Sequence, residues 1–416
     1  MNMTALYAFA HPSVDAGVDH DIPVFNSIED VVATIADDQP IHVLYRQSME
    51  RAAHAFLSRF SGTVMYAVKC NPTPAVLETL VHAGITAFDV ASIEEIDAVR
   101  RISATAKLYF MHPVKSRRAI RYAYLAGVRD FAIDSLAELE KIIEETNGAD
   151  DLGLFIRLGL PKGDAALDLS GKFGVDGAAA VDLLQAARAV SANLAVSFHV
   201  GSQCMNPHSY RKAIAAVRAL LDEAEISIDL LDVGGGFPVA YPGMEPPALD
   251  DFMGVIDQAV ADYGFLGLPL LCEPGRALVG DGGSVLVKVE LRKGNALYLN
   301  DGTFGALYDA GAIGWRYPVR RVDLRRAACD NEQAFIFYGP TCDSMDVMKG
   351  PFMLPADMAE GDWIEVANLG AYGMSMRTKF NGFHSDLTVA VAPREAMTNN
   401  VVPLPVKHDA AMADAQ

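Results

Sequence analysis

A chain of 416 residues, 51% hydrophobic and 21% charged, is long enough for two domains with separate cores, and its longest apolar runs are strand-sized, which excludes a membrane-spanning helix. A formal net charge of −19 argues against nucleic acid as a partner, because phosphates call for a basic surface. It fits simple solubility or the attraction of small cationic substrates. Five cysteines lack metal-ligand spacing, and the first twenty residues lack the basic start and apolar core of a secretion signal. Both point to a reduced, cytoplasmic protein.

In chain order, residues 1–40 are expected to add a strand, around Pro23–Phe25, to a second domain. From residue 41 short β-rich runs recur at Ile41–Tyr45, Thr63–Val68, Ala87–Val90, Lys107–Phe110 and Asp130–Ile133. They continue at Leu152–Leu158, Leu194–Val200, Ile228–Val233 and Pro269–Cys272. Amphipathic stretches of helical length lie between most of them, among them Ala75–His82, Ser92–Arg101, Leu136–Glu145, Ala178–Val190 and Ser209–Leu221. Repeated strand–helix units imply a parallel sheet with helices outside, and about eight of them fit a closed (β/α)8 barrel over residues 41–276. After Arg276 the rhythm changes to alternating runs at Ser284–Arg292, Ala296–Asn300, Ala334–Tyr338 and Trp363–Val366, read as a mainly antiparallel β-domain over residues 277–395. Residues 396–416 are small, polar and alanine-rich, and are expected to form a mobile tail.

Polar or glycine-rich clusters close many of these runs. Lys69 ends Thr63-Val-Met-Tyr-Ala-Val and precedes Asn71-Pro72. Read alone it is a strand-end lysine that snorkels to solvent; buried among apolar walls, its amine would have a lowered pKa and could attack a carbonyl. Ser197-Phe-His199-Val-Gly201-Ser202 would by default hold a satisfied core histidine. Gly234-Gly235-Gly236, after Leu230–Val233, either makes a tight turn or lets backbone N–H groups approach an anion such as phosphate. In Glu273-Pro274-Gly275-Arg276, the arginine can add a bidentate contact to that anion. Asp89 could cap the helix that follows it, and Arg157 ends another apolar run. Cys342-Asp343 follows Gly-Pro-Thr in a loop, an unusual place for a core cysteine. Gly370-Ala-Tyr372-Gly373 comes last.

Taken in order, these clusters closely resemble the fold-type III pyridoxal-phosphate decarboxylases of amino acids, over residues 41 to 392, with the ornithine decarboxylase type nearest. The resemblance implies a (β/α)8 barrel followed by a β-domain, and pyridoxal 5'-phosphate as cofactor. It implies that Lys69 carries the cofactor, Glu273 keeps its pyridine nitrogen protonated and His199 stacks on its ring. Gly234, Gly235, Gly236, Arg276, Ser202 and Tyr372 would hold the phosphate or its surroundings, with Asp89 and Arg157 near the cofactor. Cys342 would reprotonate the α-carbon after carbon dioxide leaves, and Asp343 would bind a distal ammonium. Both would reach into the neighbouring subunit's site, giving a homodimer with shared sites. Lys172 and Asp346 match positions that pair across that interface.

The substrate expected from the Cys-Asp pair is a diamino acid, ornithine giving putrescine first and lysine next. Tyr308 and Asp309 are candidate substrate contacts. Their spacing after Asn300-Asp301 is nearer the diaminopimelate decarboxylase type, yet the arginine that such enzymes carry near Phe304 is absent. Arg316 and Arg320 could face an acidic distal group or solvent. Alternatives are a diaminopimelate decarboxylase, a decarboxylase of a larger biosynthetic intermediate, an amino-acid racemase on the same barrel, or a non-catalytic regulator that has lost cofactor residues. The last two fit poorly, because the Cys-Asp loop and the cofactor residues are all present.

Overall fold

Eight of the nine β-rich runs close into a parallel barrel in the computed structural model, which describes residues 22–35, 38–161, 163, 165–167, 171–322 and 329–392. Residues 1–21 and the tail expected from residue 396 lie outside that range. We number all strands in chain order. The barrel strands are β3 (Thr63–Ala67), β4 (Ala87–Val90), β5 (Lys107–Phe110), β6 (Asp130–Ile133), β7 (Gly153–Arg157), β9 (Asn193–Ser197), β11 (Leu230–Asp232) and β12 (Leu270–Cys272). Closure comes from β12 pairing with β3, at Leu271 opposite Thr63.

Large and small side chains alternate around the barrel interior. Met65, Ala87, Tyr109, Ala132, Phe155, Ala195 and Leu271 form one buried cluster, with Tyr109 and Phe155 meeting edge to face at 5.8 Å. That alternation fills a closed barrel without voids. The other face of each strand packs on the helices, which is why these runs read as continuously apolar. Serines start three of the helices. Ser92, Ser116 and Ser135 accept the N–H of Glu95, Ala119 and Glu138 at 3.1–3.4 Å, each cap stabilising its helix by about 1 kcal/mol.

The ninth run departs from expectation. β2 (Ile41–Leu44) is not a barrel strand; it pairs antiparallel with β13 (Gly283–Lys293) and parallel with β19 (Thr388–Val391). A strand followed by the helix Arg46–Arg59 has the look of a barrel unit, and only its distant partners assign it elsewhere. β1 (Val24–Phe25) joins the same sheet beside β19. β14 (Ala296–Leu299), β15 (Val319–Val322), β16 (Glu332–Tyr338), β17 (Val347–Pro355) and β18 (Trp363–Ala367) complete this nine-stranded, mainly antiparallel sheet. Its core centres on Phe335, Phe337 and Phe352, the last two stacked at 4.0 Å. β17 is interrupted in sequence by Gly350-Pro351, which reads as a turn. A two-stranded ribbon, β8 (Ala165–Leu167) with β10 (Ser202–Cys204), stands at the barrel mouth.

Sheet and barrel meet backbone to backbone. Gly370 lies so close to the Val279 carbonyl and the Gly283 N–H that a Cβ would clash with both. Its carbonyl accepts from Asn71 Nδ2 at 2.8 Å, and the Tyr372 N–H donates to the Cys70 carbonyl at 2.8 Å. The loop carrying Tyr372 is thereby fastened beside Lys69.

Phe155→Ala removes a fully buried ring from the barrel interior, and should cost about 3–5 kcal/mol. Urea denaturation is expected to show a lower midpoint at unchanged slope; a shift worth less than 1 kcal/mol would mean that the interior packing is not as described.

Candidate active site

Parallel closure brings the C-terminal ends of all eight strands to one rim, and the barrel residues singled out from sequence lie at these strand ends. Lys69 sits in a short 3-10 turn directly after β3. Its Nζ donates to Asp89 Oδ2 at 2.7 Å, across the β3–β4 pair in which Ala67 faces Asp89. Asp89 is therefore the lysine's partner and not a helix cap; Ser92 is the cap. Desolvation lowers the pKa of this amine, but the charge of Asp89, joined by Tyr372 and Glu273, more than cancels it, and the pKa is raised. The expected lowering is thus reversed, because an amine tied to a buried carboxylate keeps its proton. The lysine side chain is also 47% exposed, so apolar walls do not enclose it.

Glu273 follows β12 and is buried, its Oε1 meeting no protein partner among the described residues. Burial first, and then the neighbouring Asp232 and Asp89 carboxylates, raise its pKa well above the ordinary range. Asp232, the last residue of β11, is also buried and also raised, though the Gly234 N–H bonded to its Oδ1 at 2.8 Å and its contact with Glu273 both favour its charge. Of the two carboxyls, Glu273 keeps the proton. Asp232 escaped the reading from sequence; its place immediately before the glycine run was the available signal.

The three glycines serve packing as well as anion approach. Side chains at Gly234, Gly235 and Gly236 would strike the backbone of Phe198, Glu273 and Gly201 in turn, and Gly234 and Gly236 have φ of +69° and +100°. The Gly235 carbonyl accepts from Tyr210 Oη at 2.9 Å and the Gly236 carbonyl from the Cys204 N–H at 2.9 Å. The N–H groups of Gly235 and Gly236 meet no protein acceptor among the described residues, whereas that of Gly234 is taken by Asp232. Ser202 opens β10 next to this loop. Arg276 lies beyond Glu273, its guanidinium buried and its Nε also without a partner among the described residues. Tyr372 packs on it, 4.9 Å from ring centre to guanidinium carbon.

His199 follows β9, and its Nδ1 accepts the Gly201 N–H at 3.0 Å. Burial, with Arg157 and Lys69 nearby, keeps its pKa well below the usual value, so the ring is neutral with its proton on Nε2. Arg157 ends β7 beside it. These groups suit pyridoxal phosphate. An orphaned buried carboxyl oxygen matches a pyridine nitrogen, unclaimed N–H groups and a buried guanidinium match a phosphate, and an aromatic ring and an amine lie between.

The remaining candidates come from the sheet. Cys342 and Asp343 lie on an exposed turn, where the Cys342 N–H donates to Asn381 Oδ1 at 3.1 Å and Asp343 Oδ1 accepts the Met345 N–H at 2.8 Å. Asp346 is buried at the root of that turn, accepting from the Thr303 N–H at 2.8 Å, the Thr341 N–H at 3.0 Å and Thr341 Oγ1 at 2.7 Å. It anchors its own loop. Lys172 lies over the Phe173 ring at 4.8 Å. Tyr308 is 37% exposed, but Asp309 is buried against Arg276. Arg320 bridges Glu365 and Glu29 at 2.7 Å each, as a brace within the sheet region. Arg316 packs over Gly243.

Comparison with known proteins agrees with this geometry. Residues 46–280 match the family described as "Pyridoxal-dependent decarboxylase, pyridoxal binding domain", and residues 278–370 match its "C-terminal sheet domain". The chain is 32% identical to the lysine/ornithine decarboxylase of Selenomonas ruminantium, over 78% of this chain and 82% of that one. It is 33% identical to the ornithine decarboxylase of Panagrellus redivivus, over 78% of each. The crystal structure of the Paramecium bursaria Chlorella virus arginine decarboxylase bound to agmatine superposes with a TM-score of 0.76 at 27% identity, covering 88% of this chain and all of that one.

Asp89→Asn removes the partner that keeps Lys69 protonated. The lysine's modification by an amine-directed acylating reagent, mapped by mass spectrometry on cofactor-stripped protein, should begin at lower pH than in the parent protein. An unchanged pH profile would show that Asp89 does not govern the amine.

Proposed function

This chain belongs to the pyridoxal-dependent decarboxylases, and from that premise we propose that its substrate is a basic amino acid with a terminal ammonium group, L-ornithine first and L-lysine next. The observation that carries the reading is the pairing of a complete cofactor-binding rim with an exposed Cys342-Asp343 turn. Pyridoxal phosphate, when bound, supplies an aldehyde that takes up an amine and a ring that accepts the electron pair left behind as carbon dioxide departs.

The chain's own groups have the following tasks. Lys69 would carry the cofactor through its Nζ, and Asp89, 2.7 Å away, aims that amine and would accept the proton that it must lose to become a nucleophile. Glu273 would face the pyridine nitrogen; burial beside Asp232 makes it take up a proton in the free protein, and passing that proton to the nitrogen would leave a carboxylate paired with the charged ring. His199, neutral and fixed by Gly201, covers one face of the ring. Gly235, Gly236 and Arg276 bind the phosphate, with Ser202 and Tyr372 beside it. Arg157 adds positive charge near Glu273 and His199.

Cys342 returns a proton to the α-carbon and Asp343 meets the distal ammonium. Their exposure within one protomer supports a homodimer in which each turn completes the partner's site. Met345, Phe380 and Phe383, 70%, 43% and 46% exposed, supply apolar surface of the kind that such an interface covers. Two relatives named for ornithine support that substrate, and the arginine decarboxylase likeness keeps the class to basic amino acids. Retention of the rim and the Cys-Asp turn disfavours racemase and regulator. We place the enzyme in polyamine formation, in the cytoplasm.

The substrate assignment is tested by carbon dioxide release from ornithine, lysine, arginine and diaminopimelate. Ornithine is expected to be turned over best, and Asp343→Ala should lower kcat/KM for it roughly 30-fold or more through loss of the charge pair. Preference for diaminopimelate, or an Asp343→Ala enzyme with unchanged kcat/KM, rejects it. The shared site is tested separately. Lys69→Ala and Cys342→Ala proteins should each be nearly inactive alone and should regain activity when mixed, since one composite site per mixed dimer is intact. Mixed dimers without activity would place both residues in the same protomer's site.

A further inference from the structure

Arg276 is held more elaborately than a phosphate ligand requires. Its Nη1 donates to Tyr241 Oη at 2.9 Å and its Nη2 to Asp309 Oδ2 at 3.1 Å. The plane of the guanidinium lies over Trp315, 4.5 Å from the ring centre, and over Tyr372. Arginine and aspartate side chains are 4% and 10% exposed. Asp309 and Trp315 belong to one short segment, closed by the Trp315 N–H donating to the Asp309 carbonyl at 3.1 Å. This segment, whose spacing departs from the ornithine pattern, folds onto Arg276.

We propose that Asp309 is a resident counter-ion for Arg276, which positions the guanidinium and competes with the cofactor phosphate for it, so that it sets how tightly phosphate is held and not which amino acid is accepted. The inference rests on the functional reading above only in taking the phosphate of pyridoxal phosphate as the anion. Arg276 and Asp309 together are neutral. A phosphate dianion brought to the same guanidinium shares it with a carboxylate in a poorly solvated place, where like charges repel strongly. The same oxygen also accepts from Tyr317 Oη at 3.5 Å, so the carboxylate is aimed at the arginine and its aromatic surroundings. Asparagine in its place keeps the shape and an acceptor oxygen but removes the repulsion, and makes the phosphate the sole counter-ion of a buried cation.

Cofactor-stripped full-length protein and Asp309→Asn are to be titrated calorimetrically with pyridoxal phosphate, with pyridoxal and with inorganic phosphate. The variant should bind pyridoxal phosphate and inorganic phosphate about tenfold more tightly and pyridoxal with parent affinity, and the reloaded enzyme should keep the parent ratio of kcat/KM for ornithine and lysine. If Asp309→Asn melts early in chloride, recovery of the parent melting temperature in phosphate at matched ionic strength supports the counter-ion role. Weaker or unchanged phosphate binding, an altered substrate ratio, or instability that phosphate does not repair overturns it. Should the parent protein bind no pyridoxal phosphate, the functional reading fails, and the inorganic phosphate titration alone decides this inference.

Discussion

Closure of eight parallel strands is the constraint from which the rest follows. Parallel pairing sends every strand end to the same rim, so side chains far apart in sequence become neighbours there without any loop having to reach. The alternation of large and small residues inside the barrel keeps that rim a fixed diameter. The sheet then adds what the barrel lacks, through glycine contacts too close for any side chain, at Gly370 against Val279 and Gly283. Positions on the rim are thus set by backbone geometry, which yields far less than side chains do.

A common electrostatic arrangement runs across the rim. Lys69, Glu273 and Arg276 each lie against an aspartate: Asp89, Asp232 and Asp309. Each aspartate is itself buried. Burial makes an unpaired charge costly, so these three groups on the rim are held in defined protonation states by partners beneath them. The directions differ with the chemistry of each pair. Two cations are kept charged by carboxylates, whereas two acids facing each other leave one of them protonated. The same rim therefore offers an ammonium, a carboxylic acid and a guanidinium.

Much of this was legible in the sequence, and the boundary of legibility has a physical cause. The period of the strand–helix units, the glycine run after β11 and Glu273-Pro274-Gly275-Arg276 are local patterns, and local patterns announce strand ends and turns. Partners across the barrel are not local. That Asp89 pairs with Lys69, that Asp232 backs Glu273, and that Tyr241 and Trp315 hold Arg276 are consequences of closure and of the sheet's docking, which carry no sequence period. The same limit misplaced Ile41–Leu44, whose strand character was clear and whose partners were not. It also hid the place of Asp346, which Thr303 and Thr341 hold at the root of its own loop. The lysine's pKa went the other way from expectation because its carboxylate partner, on the neighbouring strand, leaves no local signal.

The anchoring of Asp346 has a consequence for how such a chain can change over generations. Gly302 and Gly339 leave no room for anything but its carboxylate, and Thr303 and Thr341 bind it from two sides. Everything from Cys342 to Met345 projects outward from that root with few ties to the body of the protein. The residue that holds the loop is therefore distinct from the residues that the loop displays. Replacements at the tip can be sampled with little risk to folding, while the root holds whatever is displayed at a constant distance from the body. A scaffold of this kind lets the displayed residues change by single substitutions, and keeps the intervening variants folded.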